Sequence, residues 1–278
     1  MNKKVDLKAD QISLLGKPNS TFLWYPQDDE KTFKNNLKEN PTDPSLLYYV
    51  KNPINYTVNS NRFRTVDEFS LEDPGNVFLG CSHTYGIGLH QEHTWAYKVN
   101  SVIGGKFWNL GVPGSSLQMA YLMLLRYYKD MNIKNVFMYH PHLHRYLTYN
   151  NDKWHNLSIH NFNQTEAKSR LSKRTVSNYI STEYSYLNFS AYSNAIKYLC
   201  NKLNVPLYLI TSFPNVDYNN LPDDNINARD LKHFPTTSHN YLANEFLKKY
   251  NLKQTNNYSE ADFHVSNEIE NVLINKNI

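Results

Sequence analysis

Along this chain, short apolar runs alternate with stretches in which apolar residues recur every three or four positions. Val77-Phe78-Leu79 is one such run, closed by Gly80-Cys81-Ser82 and a polar turn carrying Gly86 and Gly88. A run of this kind reads as a buried parallel strand. Glu92 to Asn100 sets Trp95 and Val99 one turn apart, which predicts a helix. Lys106 to Leu110 predicts a second strand, followed by a loop with Gly111 and Gly114. The next helix, ending near Asp130, places Leu117, Tyr121, Leu124, Leu125 and Tyr128 on one face, with Ser115 or Ser116 as its cap. Asn135 to Tyr139 predicts a third strand and Pro206 to Phe213 a fourth. Between them, Ser190 to Asn204 is a helix that turns Ala195, Leu199 and Leu203 inward. His239 to Tyr250 closes the pattern as a helix started by Pro235-Thr236-Thr237-Ser238.

Strand and helix in this alternation predict an α/β fold: a three-layer α/β/α sandwich with a mainly parallel sheet. Crossovers of one hand bring the carboxyl end of every strand to a common rim. Residues 1–70 are rich in Asn, Lys, Asp and Pro and read as an irregular extension with a few short strands, packed on the core. Within it, Tyr56 to Arg64 alternates well enough for an edge strand and a turn. Residues 71–250 form the α/β domain, with a polar, Tyr- and Asn-rich insertion at about 146–188 that is partly helical over 166–179. Residues 251–278 read as an Asn-rich appendage.

Composition narrows the function classes. The 278 residues are 40% hydrophobic and 14% aromatic, enough for a sizeable core. The net charge of +4 comes from 29 basic and 25 acidic residues with no Lys/Arg run, so no nucleic-acid partner is expected. Cys81 and Cys200 form no disulfide framework and match no metal spacing. The start MNKKVDLKADQISLLGK lacks the apolar centre of a signal peptide, and no run of about 18 apolar residues appears, so the expectation is a cytoplasmic protein with no membrane partner.

The chemistry falls on the expected rim. Ser82 stands at the end of the first strand, as either a reactive hydroxyl or a cap of the following helix. Asp230 and His233 are three residues apart before the last helix, so the carboxylate can accept from the imidazole and leave the other ring nitrogen for a proton. Such a pair is also common on solvated helix starts. Cys81 is adjacent to the hydroxyl, but neighbouring side chains after a strand point apart, which favours Ser82 as nucleophile. His140-Pro141-His142-Leu143-His144 has the alternation of a metal site, yet Pro141 breaks the strand and no carboxylate or Cys is near. No metal or cofactor is expected.

In order, Gly80-Cys81-Ser82-His83-Thr84, Asn109 through Gly114, and Asp230 through His233 resemble the motifs of the SGNH (GDSL-like) hydrolase family over roughly residues 56–250. The resemblance implies a flavodoxin-like fold and hydrolysis of an ester, or transfer of its acyl group. It implies Ser82 as nucleophile, His233 as base and Asp230 as its partner. It places the amides of Ser82 and Gly114 in the oxyanion hole. The family's Asp before the nucleophile is Cys81 here, and its Gly-x-Asn after the third strand is missing, which leaves His142 as the replacement donor by position. His83 and Arg145 are the candidate substrate-binding side chains. The expected partner is a small-molecule or carbohydrate ester, an O-acetylated sugar among them. A catalytically silent binding or structural module on the same fold is the alternative from outside the enzymes.

Overall fold

The computed structural model describes residues 14–143, 145–150, 153–158, 182–210 and 225–252. At the N-terminal end, β1 (Ser20–Phe22) pairs antiparallel with β2 (Tyr56–Val58), and α1 (Glu30–Glu39) and α2 (Pro44–Lys51) lie between them in sequence. Both helices start on an acidic cap: Asp29 accepts from the Thr32 amide at 2.8 Å and Asp43 from the Leu46 amide at 2.9 Å. Pro44 follows its cap at the first turn, where a missing N–H costs nothing. These two helices replace the irregular chain expected for this region. Their cap signals are present in the sequence, but they sit in a stretch dominated by polar composition.

The rest is strand and helix in turn: β3 (Pro74–Leu79), the single-turn α3 (Ser82–Tyr85), α4 (Trp95–Ile103), β4 (Lys106–Asn109), α5 (Leu117–Tyr127) and β5 (Asn132–Tyr139). An antiparallel pair follows, β6 (Arg145–Asn150) with β7 (Lys153–Ser158), within the expected insertion. The chain then continues through α6 (Thr182–Leu203), β8 (Leu207–Ile210) and α7 (Thr236–Lys249). The central sheet has the order β4-β3-β5-β8, and all three pairings are parallel. Several starts move from expectation: α4 begins at Trp95, where Thr94 supplies the cap, β5 at Asn132, α6 at Thr182 and α7 at Thr236. The helix expected over 166–179, the strand residues beyond Ile210 and most of the appendage lie outside the described residues.

Side chains alternate across the strands and so build two cores. Val77, Leu79, Val136, Met138 and Leu209 face α5 and α6. Phe78, Phe107, Phe137, Tyr208 and Ile210 face α4 and α7. The sheet is therefore the middle of three layers. On the second face, cross-strand register puts Phe78 beside Phe137 and Phe137 beside Tyr208, with ring centroids 5.1 and 4.7 Å apart. Each aromatic ring buried in this way contributes about 1.5–3 kcal/mol. From β3 the chain steps outward to β4, then returns past β3 to β5. The direction of winding thus reverses between β3 and β5, and the crevice at their carboxyl ends is where open α/β sheets bind ligands. Among the described residues no helix is long and apolar enough to cross a membrane.

Candidate active site

Gly80, at the end of β3, has φ +151°, and a Cβ there would lie 2.1 Å from Thr84 Oγ1 and 2.8 Å from the Tyr139 carbonyl. Only glycine fits this crossing. The chain turns through Cys81 into α3, where the Thr84 and Tyr85 amides donate to the Cys81 carbonyl at 3.0 and 2.9 Å. Ser82 is thereby fixed at the carboxyl edge of the sheet, with 6% of its surface exposed. The loop after β4 is bound to the same turn. The Val112 amide and the Ser115 hydroxyl both donate to the Gly80 carbonyl, at 3.1 and 2.8 Å, and Asn109 Nδ2 donates to the Thr84 carbonyl at 2.9 Å. This loop carries Gly114, whose φ of +75° is in the left-handed region.

Asp230 and His233 lie on the loop that enters α7. His233 Nδ1 donates to Asp230 Oδ2 at 2.6 Å, and the carboxylate is fully buried. The second carboxylate oxygen, Oδ1, accepts from the Lys232 and His233 amides, both at 3.1 Å. Leu231, between them, sits at φ +55°, so the turn is tight enough to place a bulky residue in the left-handed region. Among the described residues the His233 ring hydrogen-bonds Asp230 alone, which leaves Nε2 unpartnered.

The two loops meet. His83, the residue after Ser82, stacks on Phe234 with centroids 3.7 Å apart, and its ring centroid is 5.6 Å from that of His233. Burial first, then the neighbouring His233, holds the His83 imidazole well below its ordinary value, so it is neutral. At the other side of the contact, the Arg229 amide donates to the Gly88 carbonyl at 2.8 Å. A Cβ on Gly88, at φ +75°, would lie 3.2 Å from Asp230 Oδ1. Gly88 thus serves close approach of backbone to backbone, whereas a Cβ on Gly86 would lie 2.9 Å from the Arg64 guanidinium.

Sequence reasoning missed what holds these loops down. Arg229, 1% exposed, donates from Nε and Nη2 to the Asp28 carboxylate at 2.7–3.1 Å, gives a further Nη2 bond to the Leu23 carbonyl at 2.6 Å, and lies 4.0 Å above the Trp24 ring. Tyr56 donates its hydroxyl to Asp28 at 2.5 Å and accepts from the Gly88 amide at 2.9 Å. Arg64, fully buried, donates to the carbonyls of Tyr85, Gly86 and Leu89. Two N-terminal residues and one buried arginine from the link to β3 therefore brace both site loops. The only available signal was an Arg beside the candidate Asp, too weak to read.

A cavity of about 610 Å³ opens at the crevice between β3 and β5, lined by Cys81, His83, His140, His142, Arg145 and Phe234 among others. His83 and Arg145, expected as substrate-binding side chains, and His142, expected as an oxyanion donor, all line it. Ser82, Gly114, Asp230 and His233 belong to the surrounding loops and not to its wall. His142 is exposed, whereas His140 is 4% exposed. His239, one turn into α7, accepts from the Trp95 amide through Nδ1 at 3.0 Å and takes no part in the cavity. Among the described residues no group of three His, Cys, Asp or Glu side chains is placed to hold a metal ion.

The sequence matches no family model and no curated protein. Function therefore has to be read from the geometry of the site.

Proposed function

We propose that this chain is a serine esterase of the SGNH type, a flavodoxin-like α/β/α protein that hydrolyses small acyl esters, O-acetylated carbohydrates among them. The observation that carries the reading is the 2.6 Å bond from His233 Nδ1 to a buried Asp230, on a loop closed against the Ser82 loop. The carboxylate fixes the tautomer with the proton on Nδ1, so Nε2 presents a lone pair. Ser82 Oγ attacks the acyl carbon as Nε2 takes its proton, and Asp230 stabilises the imidazolium that forms. The amides of Ser82 and Gly114 face the developing oxyanion, where one donor is worth about 10²–10³ in rate. The alcohol leaves with the proton from Nε2. Water then repeats the sequence on the acyl-enzyme, and a sugar hydroxyl in place of that water would make the reaction a transfer.

A second reading has the Cys81 thiol as the nucleophile, because Cys81 lines the cavity and Ser82 does not. Labelling with a fluorophosphonate probe, followed by peptide mapping, separates the two. The expected outcome is a single adduct on Ser82, with Ser82→Ala lowering turnover of p-nitrophenyl acetate by about 10⁴-fold or more. No adduct on Ser82, with turnover kept in Ser82→Ala and lost in Cys81→Ala, would establish the second reading. No adduct and no turnover would leave a silent module on this fold.

A further inference from the structure

The cavity at the carboxyl ends of β3 and β5 is lined by polar groups whose bonding capacity the fold does not use. His140 continues the sheet through its amide, which donates to the Ile210 carbonyl at 3.1 Å, and its ring packs edge-on against Phe189 at 4.5 Å. The ring is thus fixed, yet neither of its nitrogens has a hydrogen-bond partner, although the side chain is almost wholly buried. Arg145, the first residue of β6, likewise has a buried Nη1 with no partner. A buried donor without an acceptor is costly, and such groups are few in folded proteins. Two of them on the wall of one cavity point to a ligand that supplies the acceptors. Among the described residues no Asp or Glu lines the cavity, so the Arg145 charge has no counter-ion there. Burial pushes His140 down to about 3, so that ring is a neutral donor, and Arg145 is the only Lys or Arg among the described residues that line the cavity.

We propose that this cavity binds a carboxylate, held by the Arg145 guanidinium and a His140 N–H, so that the ester the site takes carries a free carboxylate. A single guanidinium matches a monoanion in charge, and its planar fork matches two carboxylate oxygens in geometry. A phosphate dianion would remain half neutralised. The aromatic walls from Tyr139, Tyr186, Phe189 and Phe234 give the carbon body of the ligand an apolar bed. At about 610 Å³ the space is much larger than an acetyl group requires and is in the range of small-molecule sites. The ester part of the proposal rests on the esterase reading; the carboxylate part does not.

The test uses the full chain and two kinds of readout. By calorimetry, the monoanion pentanoate is expected to bind and the neutral pentanamide to bind at least about tenfold more weakly, a difference of about 1.4 kcal/mol. Arg145→Gln and His140→Phe are each expected to weaken pentanoate by a similar factor, and Arg145→Lys by less, with near-ultraviolet circular dichroism confirming that each variant is folded. In turnover, mono-p-nitrophenyl glutarate, with one free carboxylate, is expected to exceed p-nitrophenyl pentanoate in kcat/KM by about tenfold, mostly through KM, and Arg145→Gln to abolish the preference. Equal affinity for pentanoate and pentanamide, or pentanoate affinity unchanged in both folded variants, overturns the proposal. Tighter binding of inorganic phosphate than of pentanoate overturns the assignment to a carboxylate. Pentanoate binding that depends on Arg145, without any labelling of Ser82, keeps the carboxylate site and removes the esterase reading. Equal hydrolysis of both esters with no pentanoate binding does the reverse.

Discussion

At Asp230 two jobs fall on one carboxylate, and they separate by oxygen. Oδ1 accepts from the Lys232 and His233 amides and so shapes the turn, whereas Oδ2 accepts from the imidazole. Asp230→Asn keeps an oxygen for the turn but offers the ring an amide donor in place of an acceptor, and the imidazole then loses the partner that fixed its proton on Nδ1. Under the esterase reading kcat falls by about 10⁴-fold while the melting temperature changes little. Asp230→Ala removes both jobs and lowers both readouts. Measuring turnover and thermal unfolding of the two variants side by side checks the split, and a drop in stability as large for Asn as for Ala would show that the carboxylate serves the turn alone. The same residue shows what sequence can and cannot convey. The three-residue spacing of Asp230 and His233 was legible because it is local, and one turn brings the groups together. That His140 is buried without partners while His142 is exposed was not legible, because both flank the same proline and only packing against Phe189 distinguishes them.

At the scale of elements, the N-terminal segment is a brace for the loops that carry the site. Asp28 and Arg229 are 201 residues apart in sequence and meet inside the protein with each side chain 1% exposed. A buried ion pair adds little over an apolar pair of the same volume, but removing one member leaves an uncompensated charge, at a cost of about 3–5 kcal/mol. Asp28→Ala is therefore expected to destabilise the chain by that amount in chemical denaturation. The double variant Asp28→Leu/Arg229→Met, having no charge left to strand, is expected to recover most of it. If the double variant is no more stable than Asp28→Ala, the bonds from Arg229 to Leu23 and from Tyr56 to Asp28 carry the brace instead of the pair's charge balance. No pattern along the chain announces such a pair, since nothing local links an acidic residue near β1 to an arginine before α7. The strands and helices of the sheet, by contrast, were legible from periodicity, because Val77 to Leu79 and Val136 to Tyr139 must be apolar on both faces to sit between two helical layers.

For the molecule as a whole, those two layers carry a pH liability. His140 lies at the carboxyl end of β5, and His239 in the first turn of α7 accepts from the Trp95 amide, which joins that helix to the start of α4. Burial pushes both imidazoles from 6.5 down to about 3, with His233 next in effect on His239. His83, held low by burial and by His233, lies between the site loops. Between about pH 6.5 and 3 the unfolded chain therefore binds protons that the folded chain refuses. More protons on the unfolded side mean that stability rises with pH and falls as acid is added. His140 and His239 each contribute a slope of about 1.4 kcal/mol per pH unit within that window. Protonating His239 also destroys the acceptor of the Trp95 amide, so α4 and α7 are expected to separate together, in one transition. Denaturant midpoints measured from pH 7 to pH 5 should fall steadily, and His140→Phe, with one refused proton fewer, should show a shallower fall. A flat profile in the parent chain, or an identical slope in that variant, would mean that these rings are solvated and protonated in the folded protein, and the packing described around β5 and α7 would have to be looser than it is.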